Sequence, residues 1–380
     1  MAKQTGSNME TVRKSNRFAI LKYLNDNGPT SRKDLAAAIG LTPAAVTMIC
    51  NNLLEEGVVT ETGVSESQGK AGRRQIYLDI VSDAAYIISV NIETEDTTIA
   101  MCDIRGDIVE CRSIITKSNV KPEDFLEEIV GMIEEILKSA SRKAKKVVAI
   151  SVGVPGIVDE DAGIARNAYG IWEDEVDIQG FLAERFDYEI CVTNNVSAFA
   201  MAEQLYGMGR GHENLMIIKW GPGVGCAMII DQHIYEGRHG KAAELGHFIV
   251  EKNGIKCNCG RRGCLETKIG YQALQKVAKF DMGDFGKCYA KSTGHNREDF
   301  DDAIDLFARS VVNSATIMAP NRIVLAGMMF EDEIIRDRMI KCCISYDSHF
   351  SENRICYSQL ASKEKYIGPV AAYVLRFYFT

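Results

Sequence analysis

Near residue 80 the hydrophobic period of this chain changes, and one layer of secondary structure cannot accommodate both sides of the change. Before it, apolar residues recur at helical spacing: Phe18, Leu21 and Leu24, then Leu35 and Ile39, then Val46, Ile49 and Leu53. From Ala85 onward they run as strands, in Tyr86-Ile-Ile-Ser-Val-Asn-Ile92 and in Thr97-Thr-Ile-Ala-Met-Cys-Asp103, with a turn at Arg105-Gly106-Asp107. A helical front and a strand-led body imply more than one domain. The length of 380 residues agrees, since it exceeds what one ordinary core covers.

The front reads as three short helices and a hairpin. Asn27-Gly28-Pro29 ends the first helix, which spans about Ser15 to Asn25. Ser31 can cap a second, closed by Gly40, and Thr42-Pro43 opens a third, with proline in the first turn where a missing N–H is harmless. Burying Val46, Ile49 and Leu53 leaves Thr42, Pro43, Ala44, Ala45, Thr47, Met48 and Asn51 on or near the open face. Helix, glycine-containing turn and helix is the arrangement that lays its second helix in the major groove of DNA. Val58 to Thr62 and Gln75 to Asp79 then pair as a wing, making a winged helix-turn-helix. Lys70, Arg73 and Arg74 supply wing cations suited to phosphates or a narrow minor groove. The competing reading is a protein-interaction module whose arginines sit in a solvated turn. Small Ala44 and Ala45 suit close approach and contact with thymine methyls.

Charge divides along the same boundary. Residues 1–80 carry 10 Lys+Arg against 8 Asp+Glu, a net +2, and the remainder carries 34 against 44, a net −10. A locally basic head on an acidic body is compatible with double-stranded DNA as partner. No apolar run approaches the roughly 20 residues of a membrane span, and the polar start lacks a signal peptide's apolar core, so a cytoplasmic protein is expected. Its 12 scattered cysteines then read as thiols or metal ligands, not as a disulfide framework.

In the body, a helix from Pro122 to about Ala140 turns Phe125, Ile129, Ile133 and Ile136 inward, and Val147 to Val152 is a buried strand running into Gly153-Val-Pro-Gly156-Ile-Val-Asp159. Strands, a crossover helix and a central strand open an α/β lobe. Gly153-Val-Pro-Gly156, Glu244-Leu-Gly-His247 and Cys257-Asn-Cys-Gly-Arg-Arg-Gly-Cys264-Leu-Glu266, behind the winged head, resemble the transcriptional regulators of the ROK (repressor, open reading frame, kinase) family over essentially the whole chain.

That resemblance implies an α/β fold with an N-terminal winged helix-turn-helix over 1–80, and a two-lobed actin-like or hexokinase-like (ribonuclease H-like) domain. Lobe 1 would span 81–193 with a C-terminal helix 366–380, and lobe 2 would span 194–365. It also implies a structural zinc, a sugar effector, and homodimers or homotetramers on operator DNA. The zinc stands on spacing as well: Cys257, Cys259 and Cys264 share one glycine-rich loop with His247 ten residues upstream, and three thiolates with one imidazole close a tetrahedral site. Carried over by resemblance, Asn167, Asn194, Asn195, Glu244, His247 and Glu266 form the hydroxyl-binding set, since each sugar hydroxyl both donates and accepts. The family's usual Asn-Asp-Ala-Asn reads Asn194-Asn195-Val196-Ser197 here, so the general base of a sugar kinase is an amide. Its Asp-x-Gly-Gly-Thr phosphate turn reads Asn91-Ile92-Glu93-Thr94-Glu95, where two glutamates would repel ATP. Without base or phosphate turn, proton abstraction and phosphoryl positioning both fail. The expectation is a sugar-responsive regulator without catalytic residues; the alternative is an ATP-dependent sugar kinase.

Overall fold

The computed structural model describes residues 9–64, 75–118, 120–142, 145–350 and 354–380. The head holds α1 (Met9–Asn27), α2 (Arg32–Ile39) and α3 (Pro43–Glu55), with β1 (Thr30–Ser31), β2 (Val59–Val64) and β3 (Ile76–Ile80) in the order β1-β3-β2. Both expected caps form: the Ser31 side chain accepts from the Asp34 N–H at 3.2 Å, and that of Thr42 accepts from the Ala45 N–H at 3.3 Å. Gly40 closes α2 at φ 69°, a left-handed conformation that glycine adopts without a Cβ penalty. Leu21, Leu24, Leu35, Val46, Ile49 and Leu53 are buried together, so helical spacing located the head's core. Helix α1 is longer than expected, and β1 was not anticipated because its two residues carry no strand pattern.

The body contains two five-stranded sheets. In the first, β4 (Tyr86–Ile92), β5 (Asp96–Asp103) and β6 (Ile108–Ile115) run as an antiparallel meander, and β7 (Val147–Val154) and β11 (Glu189–Asn194) add in parallel, giving the order β11-β7-β4-β5-β6. A three-stranded flap, β8 (Ile157–Asp159), β9 (Ile164–Asn167) and β10 (Val176–Asp177), and the short α5 (Ile178–Ala183) lie between β7 and β11 in sequence. Helix α4 (Pro122–Arg142) buries Phe125, Ile129, Ile133 and Ile136, the face its sequence period marks. The second sheet, β14-β13-β12-β15-β16, comprises β12 (Leu215–Trp220), β13 (Val224–Ile230), β14 (His233–Ile234), β15 (Arg322–Ala326) and β16 (Ile355–Tyr357). Helices α7 (Glu266–Ile269), α8 (Tyr271–Leu274), α9 (Phe285–Lys291), α10 (Gly294–Met318) and α11 (Glu333–Tyr346) accompany it, packed around Trp220, Phe285, Phe307 and Phe330.

Two helices sit where head and sheets meet. Helix α6 (Asn195–Tyr206) packs against α12 (Glu364–Tyr373), and α12 lies on β4, so every residue of β4 is buried and the strand reads as an unbroken apolar run. The Ser89 hydroxyl donates to the Tyr366 carbonyl at 2.6 Å. The returning C-terminal helix is shorter than residues 366–380: after Tyr373 the backbone widens into a π-helical turn, Val374–Tyr378. Head residues Leu21, Leu24 and Leu35 belong to one continuous cluster with Phe199, Leu205, Val370 and Phe379. Among the described residues no helix is long and apolar enough to cross a membrane.

Candidate functional site

The surface expected to face DNA is the open face of α3. Val46, Ile49, Cys50 and Leu53 anchor it in the head, while Thr42, Pro43, Ala44, Thr47, Met48 and Asn51 are exposed and Ala45 is half-buried. Met48 is 52% exposed, a large apolar side chain left in water with no intramolecular reason to be there. The Thr47 hydroxyl donates to the Pro43 carbonyl at 2.7 Å. Arg32 was not singled out from sequence; it reaches Asn51 Oδ1 at 3.5 Å and pairs with Glu61 at 3.3 Å, tying α3 to the first wing strand. Lys70, Arg73 and Arg74 lie outside the described residues.

A cleft of about 1330 Å³ opens beside the flap, lined among others by Glu160, Asn167, Tyr169, Cys226, Glu236, Glu244 and Arg261. Asn194 faces a smaller adjoining cavity together with Glu160, Ser197 and Glu236. Its side chain is heavily committed: Oδ1 caps α6 by accepting from Val196 and Ser197 N–H at 2.9 and 3.0 Å, and Nδ2 donates to the Gly156 carbonyl at 2.7 Å. Gly156 also lets the end of β9 approach closely, because at φ 87° a Cβ would lie 2.1 Å from the Asn167 carbonyl oxygen. Asn195, His247 and Glu266 are not among the residues lining the cleft. Asn195 is buried with Oδ1 lacking a hydrogen-bond partner. Glu266 accepts from the Val224 N–H at 3.0 Å. Burial pushes the Glu244 carboxyl up, opposed by Arg261.

His247, Cys257, Cys259 and Cys264 come together as spacing required, with their ligand atoms all within 4.8 Å of one another. His247 Nδ1 is 3.5 Å from Cys257 Sγ, and Cys259 Sγ is 3.6 Å from Cys264 Sγ. Those separations suit a tetrahedral ion with metal–sulfur bonds of about 2.3 Å. Nε2 lies 3.4 Å from Glu244 Oε2, so one ring nitrogen faces the metal cluster and the other a residue of the cleft. Burial, aided by Arg261, lowers the imidazole to about 4, keeping it in the neutral form that binds metal. The Tyr169 ring packs edge-on against it at 5.3 Å.

On the phosphate side, Glu93 does not stand as a bare charge. Lys219 of β12 reaches Glu93 at 2.7 Å and Glu364 of α12 at 3.0 Å, joining the two sheets through a cation 16% exposed. Burial alone would lower Lys219, but the two carboxylates outweigh it and hold the ammonium charged. Repulsion between Glu93 and a nucleotide is therefore the lesser obstacle; an ion triad already occupies that turn. Glu160 and Glu236 line the cleft without having been expected there, and Arg376 pairs with both from outside the lining. No motif marks them, since they come from the flap, a loop and the C-terminal turn.

The profile of the ROK family matches residues 87–375, and that of winged helix-turn-helix DNA-binding domains matches residues 13–60. The chain is 30% identical over 265 residues to the xylose repressor of Bacillus spizizenii, covering 70% of this chain and 68% of the repressor. It is 26% identical over 353 residues to the N-acetylglucosamine repressor of Escherichia coli O157:H7, covering 89% of this chain and 86% of the repressor. Its fold matches a ROK family transcriptional regulator homologous to the E. coli MLC protein with TM-score 0.81 and 21% identity, over 96% of this chain and 97% of that one. A ROK family glucokinase from Streptomyces griseus, solved with glucose and AMPPNP, matches with TM-score 0.63 and 20% identity, over 76% of this chain and 98% of that one.

Proposed function

This chain belongs to the ROK family, and from that premise we propose that it is a sugar-responsive repressor that binds operator DNA through α3 and releases it when a sugar enters the cleft. The observation that carries the reading is Asn195: a DNA-reading head is joined to a body whose general-base position holds an amide, which cannot take a hydroxyl proton. The Lys219–Glu93–Glu364 triad supports the same conclusion, because it fills the turn where phosphates would meet backbone N–H groups.

The regulated genes are those of carbohydrate uptake and metabolism, and the first candidate effectors are xylose and N-acetylglucosamine, after the names of the relatives. Asn167, Asn194, Asn195, Glu244, His247 and Glu266 form the hydroxyl-recognition set, with those outside the lining brought in as the lobes close. His247, Cys257, Cys259 and Cys264 hold a structural zinc, which orders the loop from which His247 presents its second nitrogen. The wing cations Lys70, Arg73 and Arg74 contact DNA phosphates. A homodimer or homotetramer in the cytoplasm presents two heads, and a change in lobe closure alters their separation. Half-site spacing converts that movement into lost affinity.

The test is fluorescence anisotropy of the protein on DNA flanking its own gene, across xylose, N-acetylglucosamine, other simple sugars and their phosphates. Salt-dependent binding relieved by a sugar is the expected outcome. Sugar-dependent ATP consumption with no DNA binding would reverse the proposal in favour of the kinase.

A further inference from the structure

One end of the C-terminal π-helical turn lies at the effector cleft and the other in the DNA-binding head. Arg376 forms ion pairs with Glu160 and, at 3.2 Å, with Glu236; both carboxylates belong to the lining of the cleft and of the cavity at Asn194. The Glu160 side chain is only 10% exposed, and its Oε1 accepts from the Thr193 hydroxyl at 2.5 Å and the Asn194 N–H at 3.3 Å. Glu160 thus fixes the strand end from which Asn194 is presented, and Arg376 in turn fixes Glu160. Three residues further on, Phe379 is 1% exposed and meets Phe18 of α1 edge-on at 6.4 Å. Tyr378 lies within the electrostatic reach of Arg17 and Glu56, which pair with each other at 2.7 Å between α1 and the end of α3. A second contact runs parallel to this one: α6 starts at Asn194's cap, and near its other end the Leu205 carbonyl accepts from Asn25 of α1 at 2.7 Å.

We infer that Glu160, Glu236 and Arg376 are positioning residues of the effector site, and that the turn Val374–Tyr378 carries the occupancy of that site to α1 of the head. The inference rests on the sugar-responsive reading above. A ligand hydroxyl that draws Glu160 or Glu236 away from Arg376 frees the guanidinium. The turn that carries it repacks Tyr378 and Phe379 against Arg17 and Phe18. Only Phe377 and Tyr378 separate Arg376 from Phe379, the residue that meets Phe18, so little displacement is lost between the two contacts.

The experiment compares wild type, Arg376→Gln and Arg376→Lys as full-length oligomers. DNA affinity is read by anisotropy with and without xylose, N-acetylglucosamine and its 6-phosphate, and sugar binding by calorimetry. Arg376→Gln is expected to keep DNA affinity within about threefold, still bind the sugar, and lose the sugar-induced weakening of DNA binding by about tenfold or more. Arg376→Lys is expected to regain part of it. A purely structural arginine would move all three quantities together or none. Undiminished coupling in Arg376→Gln overturns the positioning role while leaving the sensor intact; a wild type insensitive to every sugar overturns both. If Arg376→Gln does not fold, hydrogen exchange on wild type decides: sugar must change protection in both 374–380 and 17–27, and a change confined to the cleft refutes the link.

Discussion

Replacing Lys219 by Met tests whether the buried triad holds the two sheets together in the place a nucleotide would take. The side chains of Lys219, Glu93 and Glu364 are 16%, 28% and 18% exposed, so solvent screens them only partly. Removing one member of a fully buried pair costs about 3–5 kcal/mol, because the remaining charge is left desolvated. Here two carboxylates remain and repel each other, while residual exposure and proton uptake give some of the cost back, so about 2–4 kcal/mol is expected. At roughly 2 °C per kcal/mol for a chain of this size, the melting temperature falls by about 4–8 °C at pH 7.5. The assay is differential scanning calorimetry at pH 7.5, with the triple neutral variant Lys219→Met, Glu93→Gln, Glu364→Gln as control, which removes all three charges together and should recover part of the loss. A Lys219→Met variant as stable as wild type would refute the triad as an ionic joint.

Substituting Glu for Ala44 places a carboxylate on the exposed face of α3 and should reduce operator affinity by about tenfold or more, with folding unchanged by circular dichroism. Chelation, or Cys259→Ser, should release one metal ion per chain by mass spectrometry and lower the melting temperature; an ion present at about a thousand times its Kd contributes about 4 kcal/mol to the folded state. Glu203 is fully buried on α6 and burial raises its carboxyl, so its ionisation opposes folding above that raised pKa and not below the unfolded value. Glu203→Gln should therefore match or exceed wild-type stability at pH 8, with the gap closing towards pH 4 in thermal melts. Asn195→Asp restores the acid of the kinase base position, yet sugar-dependent ATP turnover should stay at background in a coupled assay, because the first phosphate turn remains closed by Lys219.

The head and the metal cluster were legible because each rests on local rules. Ser31, Gly40 and Thr42-Pro43 bound helices through capping and backbone geometry, which act within four residues. Cys257, Cys259 and Cys264 are neighbours in sequence, and only His247 had to be brought in. The strands β4 and β7 were legible as apolar runs, and α4 through its inward face. What escaped was everything made by distant segments meeting. Nothing in sequence pairs Lys219 with Glu93 or Glu364, and their triad exists only because residues from β12, from the turn after β4 and from the start of α12 meet. Arg376 with Glu160 and Glu236 escaped for the same reason. The six hydroxyl-binding positions came from resemblance, and only Asn167 and Glu244 line the main cleft. Asn194 serves the smaller cavity while capping α6.

Loss of catalysis and gain of signalling use the same positions. A kinase must open to exchange nucleotide and close to transfer phosphate, so its lobes cannot be bridged by protein charges at the phosphate turn. Once Asn195 removes the proton acceptor, nothing is lost by filling that turn, and the Lys219 triad makes the joint between sheets independent of ATP. On the proposed reading, lobe movement answers to a single ligand in the remaining cleft and is passed on through two contacts with α1, one from α6 and one from the C-terminal turn. Helix α1 packs against the buried face of α3, whose open face carries Met48 and Asn51. On the same reading, a displacement at Asn194 reaches the open face of α3 through packed elements.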